Sequence, residues 1–291
     1  MKVALFGHKI EESDSHSVLE FLKALKSIDA QVAFESVFLD HLKDHDCPIE
    51  ADVFKADGGL DQSFDLFVSF GGDGTMLRAV TIVKDLGIPI VGINTGRLGY
   101  LSTFNKEEVQ RVITEFIAGA YTIEERSLIS LENAASLGFD LNFALNEITV
   151  IRKDTTSMIT VETYLDGEYL TSYWADGLIV ATPTGSTGYS LSCGGPVIAP
   201  LTRSMVLTPI APHNLNARPL VISEDTEVKI KVSGRESQHV LSLDSRLAVV
   251  ATGTELIIKK AAFKVKMVKF NSESFISTLR KKLLWGEDKR N

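Results

Sequence analysis

Residues 71–75 read Gly-Gly-Asp-Gly-Thr, three glycines around one carboxylate, directly after the apolar run Phe67, Val68, Ser69 and Phe70. Met76, Leu77, Ala79, Val80, Ile82 and Val83 then recur at helical spacing, so the order is strand, glycine turn, helix start. Glycine lets a backbone take positive φ and approach a ligand closely. A helix start adds unpaired N–H groups and the positive end of its dipole, a combination that binds phosphate. Asp73 sits in that spot as an anion itself. Two explanations stand side by side: Asp73 acts on a phosphate-bearing ligand, or it caps the helix, a position Asp favours.

Two other stretches have unusual chemistry. Asn146 and Glu147 lie together between the apolar Leu145 and Ile148. Consecutive strand residues face opposite sides, so the plain account leaves Glu147 exposed and Asn146 bonded to backbone. Further on, Trp174, Ala175 and Asp176 precede an apolar run over 177–181 and then a loop dense in Thr182, Thr184, Ser186, Thr187, Ser190, Ser192 and glycines. Such a loop offers hydroxyl and N–H donors to a nucleotide without adding charge. Solvated turns have the same composition. No G-x-x-x-x-G-K-[ST] occurs, no G-x-G-x-x-G follows the first strand, and the histidines lack H-E-x-x-H spacing. Residues 184–188 miss the G-x-S-x-G nucleophile elbow by its first glycine. His213 reads as a hydrogen-bonded structural histidine.

The elements that must position these residues follow from periodicity. Residues 3–6 read as a buried strand, and Val18, Phe21, Leu22, Leu25 and Ile28 as one face of a helix. Val32 and Phe34 mark a second strand, 37–42 a short helix, 57–65 a loop and 65–70 a third strand. The glycine turn thus falls at a strand's carboxyl end, where open parallel sheets bind ligands. Residues 88–93 form a fourth strand, followed by a second glycine-bearing loop at 94–100 expected to face the same crevice, and 107–117 form a helix. Beyond residue 120 the period changes. Ile159, Val161, Thr163 and Leu165 alternate up to the hairpin signal Asp166-Gly167, and strands are expected over 226–232, 239–243, 247–251, 256–259 and 263–270. Phe275, Ile276, Leu279, Leu283 and Leu284 restore helical spacing at the end. The expected fold is an α/β domain with a Rossmann-like open sheet over 1–120 and an all-β, sandwich-like domain over 121–270. A C-terminal helix over 271–291 is expected to return to the first domain.

Composition sets the frame. At about 150 residues per domain, the 291 residues fit two domains, and 44 % hydrophobic content supplies two cores. A net charge of −8 argues against a nucleic-acid partner held by its phosphates. Cys47 and Cys193 are too few for a disulfide framework or a zinc cluster, which fits a reducing compartment. Gly7, His8 and Lys9 end the first apolar run too early for a signal peptide, and no run reaches membrane-spanning length. A soluble cytoplasmic protein without a membrane partner is expected.

Taken together, the motifs carry a resemblance. Gly-Gly-Asp-Gly-Thr at 71–75, Asn-Thr-Gly-Arg-Leu-Gly-Tyr at 94–100, Asn146-Glu147, and Asp-Gly-Leu-Ile-Val-Ala-Thr-Pro-Thr-Gly-Ser-Thr-Gly-Tyr at 176–189 resemble, in that order, the NAD kinase family. So do Pro-His-Asn-Leu-Asn-Ala-Arg-Pro-Leu at 212–220 and Leu-Arg-Lys-Lys-Leu-Leu-Trp-Gly at 279–286. The first motif alone is shared with diacylglycerol kinases and, loosely, phosphofructokinases; the combination is far more specific. The resemblance implies transfer of the γ-phosphoryl group of ATP to the 2′-hydroxyl of the adenosine ribose of NAD, with Mg²⁺ or another divalent cation. It makes Asp73 the base. Asp73, Gly74, Leu77, Tyr100, Asn146, Glu147, Asp176, Thr184, Thr187, Gly188, Tyr189, Ser190, Leu191 and Ser192 become NAD-binding residues. Gly71, Gly72, Gly74, Thr75 and Arg78 are candidates for the triphosphate, and no residue is assigned directly to the metal. A homodimer or homotetramer formed through the β domain is implied as well.

The sequence also departs from the family pattern. Gly188 stands where alanine is usual, leaving the pocket a methyl wider, and Tyr100 replaces the commoner Phe. Asp244-Ser245-Arg246 occupies the place of Asp-Gly-Gln, and Trp174 that of a frequent basic residue. The rival readings are a non-catalytic pyridine-nucleotide sensor and a lipid kinase of the diacylglycerol type. The intact Gly-Gly-Asp-Gly-Thr disfavours the first, and the absence of an amphipathic membrane helix the second.

Overall fold

Apolar runs without polar alternation become strands covered on both faces. In the computed structural model, which describes residues 1–8, 12–43, 49, 51–96, 99–102, 104–105, 108–153, 157–271 and 274–285, the first such runs build a parallel sheet. The chain divides into two compact units, Met1–Glu125 with Val265–Asn291, and Arg126–Lys264.

The first unit contains β1 (Lys2–Gly7), α1 (Glu12–Lys26), β2 (Gln31–Glu35), α2 (Ser36–Lys43), β3 (Asp52–Phe54), β4 (Leu66–Phe70), α3 (Asp73–Val83), β5 (Ile90–Asn94), β6 (Phe104–Asn105) and α4 (Val109–Ile117). The sheet order is β3-β2-β1-β4-β5, all parallel, with β6 also on β5. Strand order reverses between β1 and β4, the switch point outside whose carboxyl ends ligands bind in this architecture. Leu5, Phe34, Phe38, Val68, Phe70 and Ile93 form the core with Val109 and Val112 of α4, and α1 lies against α4. The β3 strand had no sequence signal, because only Phe54 of its three residues is buried.

The second unit is antiparallel. It takes in most of β7 (Tyr121–Leu131), then β8 (Phe143–Ala144), β9 (Glu147–Arg152), β10 (Ile159–Leu165), β11 (Glu168–Ala175), β12 (Gly177–Ala181) and the one-turn α5 (Tyr189–Ser192). After these come β13 (Ser204–Ile210), β14 (Leu220–Ser223), β15 (Val228–Ser233), β16 (Gln238–Leu243), β17 (Arg246–Ala251) and the first part of β18 (Glu255–Phe270). One sheet runs β14-β13-β12-β9-β16-β17. The β11-β10-β15-β18 strands form another layer, and Val150, Leu178, Leu207 and Leu241 of the first meet Val161, Tyr173, Ile230 and Ile258 of the second in one core. Asp166 and Gly167 take φ of 50° and 85°, as a tight hairpin turn requires.

Two expectations need correction. Residues 256–259 and 263–270 are one sixteen-residue strand, β18. Residues 260–262, left between the two expected strands, belong to it as well, and the Lys260 ammonium bonds Glu224 and Asp225. Leu145 and Asn146 lie between β8 and β9, so strand alternation does not dictate where Asn146 and Glu147 point.

The end of β18 and α6 (Phe275–Leu283) belong to the first unit. Met267 pairs with Ile90 of β5, and the fully buried Phe270 meets Phe104 edge-on at 5.0 Å. Ser274 caps α6 by accepting the Ser277 N–H at 3.0 Å. Phe270→Ala is expected to destabilise the first unit by about 3–5 kcal/mol, measured by urea unfolding; an unchanged midpoint would show that this segment is not part of its core.

Candidate active site

In the first unit the glycine turn leaves β4 at its carboxyl end. Gly71 takes φ +146°, Gly72 is the N-cap position, and Asp73 is the first helical residue of α3. Asp73 does not cap that helix. Its Oδ2 accepts the N–H of Tyr100 at 2.8 Å, and Oδ1 accepts those of Leu101 and Ser102, both at 3.0 Å. The capping explanation is therefore set aside. The Ser102 hydroxyl completes the clasp by donating to the Gly71 carbonyl at 2.8 Å. Gly99 has to be glycine here, since a Cβ would overlap Asp73 Oδ1. Arg97 and Leu98 of this loop lie outside the described residues.

Cations surround the same region. Arg78, exposed on α3, shares a 3.2 Å hydrogen bond with His8 Nδ1 at the end of β1 and lies over the Phe6 ring. Lys282 of α6 stands 5.4 Å from the centre of the Tyr100 ring. Burial and the Asp73 charge push the Tyr100 hydroxyl up from its ordinary value. Neither Arg78 nor Lys282 has a carboxylate partner among the described residues.

In the second unit the candidate residues are spread along β12: Asn146, Glu147 and Thr184 to Gly188 lie at its carboxyl end, Ser190 reaches Thr208 opposite its middle, and Asp176 precedes its start, so Asp176 is not brought together with the Asn146-Glu147 pair. Thr182, just beyond β12, donates its N–H to the Asn146 carbonyl at 2.9 Å and its hydroxyl to that of Leu145. Gly185 packs so closely on Asn146 that a Cβ would overlap the Asn146 carbonyl. A Cβ at position 188 would stand 3.2 Å from Glu147 Oε2, so the missing methyl leaves room beside that carboxyl and not in open space. Thr187 bonds back to the Thr184 carbonyl at 3.2 Å, while Ser190 is fully buried with its hydroxyl 2.8 Å from Thr208. Tyr189 is exposed and hydrogen-bonded to Cys193, with Leu191 half-buried and Ser192 exposed beside it. Asp176 is paired with Arg152 at 3.0 Å.

Glu147 is neither exposed nor satisfied. Its Oε2 is buried without a hydrogen-bond partner, and burial, with the neighbouring Asp244 charge, pushes the carboxyl up to about 8. The cause lies partly in a residue given no positive role by the sequence. Asp244 accepts the N–H groups of Leu145, Asn146 at 2.8 Å and Glu147 at 3.0 Å. Arg246, standing in place of glutamine, donates to the carbonyls of Leu243 at 3.0 Å, Leu141 at 3.1 Å and Phe143. Trp174 is exposed, with its ring 5.5 Å from that of His213.

Residues 9–121 match the family model described as the ATP-NAD kinase N-terminal domain, and residues 145–270 that of the ATP-NAD kinase C-terminal domain. The chain belongs to the NAD kinase family. It is 53 % identical, over the full length of both chains, to the NAD kinase of Flavobacterium psychrophilum, and 40 % identical, again over both full lengths, to that of Bacteroides fragilis. Among solved structures, yeast NADH kinase complexed with NADH matches at a TM-score of 0.86 and 26 % identity, covering 100 % of this chain and 89 % of the other. An NAD kinase from Archaeoglobus fulgidus in complex with ATP matches at 0.75 and 28 %, covering 98 % and 99 %.

Two residues beside the candidate groups had no role in the sequence reading: Asp244, noted only as part of a departure, and Lys282, noted only as part of a terminal match. The raised Glu147 carboxyl has a measurable consequence. Between its ordinary value of 4.5 and about 8, the folded protein keeps a proton that the unfolded chain has released. Rising pH therefore favours unfolding across that window. Tm is expected to fall between these limits in the wild type and to fall less in Glu147→Gln, read by calorimetry; parallel curves would contradict a buried protonated Glu147.

Proposed function

We propose that this protein is an ATP-dependent kinase that phosphorylates the 2′-hydroxyl of the adenosine ribose of NAD, giving NADP and ADP. The observation that carries the mechanism is the lone-pair count on Asp73. A carboxylate has about four acceptor sites, and the backbone fills two on Oδ1 and one on Oδ2. One site on Oδ2 remains. It accepts the 2′-hydroxyl proton as that oxygen bonds the γ-phosphorus and the bond from phosphorus to the β-phosphate oxygen breaks, releasing ADP.

Because Asp73 turns towards Tyr100, Leu101 and Ser102, the first N–H groups of α3 carry no side-chain cap and stay available to the triphosphate. Gly71, Gly72, Gly74 and Thr75 let the phosphates come close, and Arg78 and Lys282 supply positive charge. In the second unit, Asn146, Glu147, Asp176, Thr184, Thr187, Gly188, Tyr189, Leu191 and Ser192 hold NAD, with Ser190 acting through its backbone because its hydroxyl bonds Thr208. In the first, Gly74, Leu77 and Tyr100 line the ribose side.

A divalent cation such as Mg²⁺, brought with ATP, would neutralise phosphate charge. No three His, Cys, Asp or Glu side chains grouped to hold a metal occur among the described residues, and the acceptor site left on Asp73 is the one that meets the 2′-hydroxyl, so the ion would be held through the phosphate oxygens of ATP. The proposal extends to a cytoplasmic homodimer or homotetramer. Leu220 and Val221 are exposed on the edge strand β14, which needs a cover. No described helix is long and apolar enough to cross a membrane.

Purified protein with ATP, Mg²⁺ and NAD is expected to form NADP. Asp73→Asn should still bind NAD by calorimetry while kcat falls by about 10²–10⁴. A kcat within about threefold of wild type would remove the base role, and NADP binding with no ATP-dependent product would support the sensor reading instead.

A further inference from the structure

The β16–β17 hairpin turns through Asp244 and Ser245, two residues with side chains held at φ 46° and 71°. Such turns normally use Asn-Gly or Asp-Gly, so a serine in the second position costs backbone strain. The turn aims the Asp244 carboxylate at three successive N–H groups, those of Leu145, Asn146 and Glu147, and returns its own N–H to the Glu147 carbonyl at 3.2 Å. Arg246, from the same hairpin, ties down the carbonyls of Leu141 and Phe143 just upstream. One hairpin thus fixes the backbone on both sides of residue 144.

The groups facing Glu147 share a sign or are neutral. Asp244 stands on the hairpin side, and Tyr189 and Cys193 on the α5 side. No cation among the described residues joins them. Of the two adjacent carboxyls, Asp244 has three N–H donors and Glu147 Oε2 has none, so the negative charge settles on Asp244 and the proton on Glu147.

Resting on the kinase reading above, we propose that Asp244 is a positioning residue for the Asn146-Glu147 pair, fixing its backbone and making Glu147 offer the dinucleotide a hydrogen-bond donor as well as an acceptor. A protonated carboxyl donates one hydrogen bond and keeps acceptor capacity, whereas an ionised one only accepts. The ribose or pyrophosphate oxygen that meets Glu147 then receives a bond that disappears when the proton leaves.

The test is NADP formation by the purified full-length protein between about pH 6.5 and about pH 9.5 at saturating ATP, with KM for NAD and kcat determined separately. In the wild type, KM for NAD should rise about fivefold or more across the alkaline half of this range without a matching fall in kcat. Asp244→Asn, which removes a like charge beside Glu147, should move that rise down by about one pH unit. Glu147→Gln, which carries a donor at every pH, should abolish it. A wild-type KM independent of pH, a rise that survives in Glu147→Gln, or a rise left in place by Asp244→Asn each overturns the proposal. If Asp244→Asn does not fold, the wild-type and Glu147→Gln profiles decide alone. Failure of the kinase reading would look different: no NADP from wild type at any pH.

Discussion

A carboxylate taken out of water must be given hydrogen-bond donors, and each unit of this protein meets that demand in the same way. Asp73 gathers the N–H groups of Tyr100, Leu101 and Ser102; Asp244 gathers those of Leu145, Asn146 and Glu147. Three consecutive peptides pointing one way make a concave anion-binding surface. In most proteins such a surface waits for a ligand. Here it is filled by the protein's own side chain, so the shape of the loop is set before any substrate arrives. The close approaches at Gly99 and Gly185 serve this arrangement, since a methyl at either would push the loops off the groups they wrap.

The same rule explains why neighbouring acids have different roles. Asp244 and Glu147 lie together in a poorly hydrated place that cannot comfortably hold two charges. The donors decide which one ionises. Phosphoryl transfer asks little covalent work of a protein and much of its placement of charge and hydrogen bonds. In each unit the backbone donors around a carboxylate fix that placement before a ligand binds.

Much of this was legible in the sequence and some could not have been. The turn at 71–75 stood out because an unbroken apolar strand ran into three glycines, and the order of motifs carried the family. The partners of Asp73 were invisible, because backbone N–H groups leave no trace in residue identity. For Glu147, strand alternation suggested exposure; the residue instead starts β9 after an irregular link, and its surroundings come from α5 and the β16–β17 turn, both distant in sequence. The two strands expected over 256–259 and 263–270 are one, β18, in which Lys260 satisfies its charge on Glu224 and Asp225. The loop after Thr182 looked like ordinary turns, yet it folds into a 3-10 turn at Gly185–Thr187 and the short α5, driven by buried hydroxyls at Ser186 and Ser190 that bond within the protein.

The strand β18 carries one more consequence. It supplies Val268 and Phe270 to a core whose other members all precede residue 126. On the ribosome, those earlier residues emerge first and must wait through the synthesis of the entire second unit before their last strand appears. Residues 126–264 are contiguous and can fold as they emerge, so the order of maturation runs opposite to the order of synthesis. A nascent chain paused before residue 265 therefore exposes an unfinished edge on β5, the strand that carries the loop on which Asp73 depends.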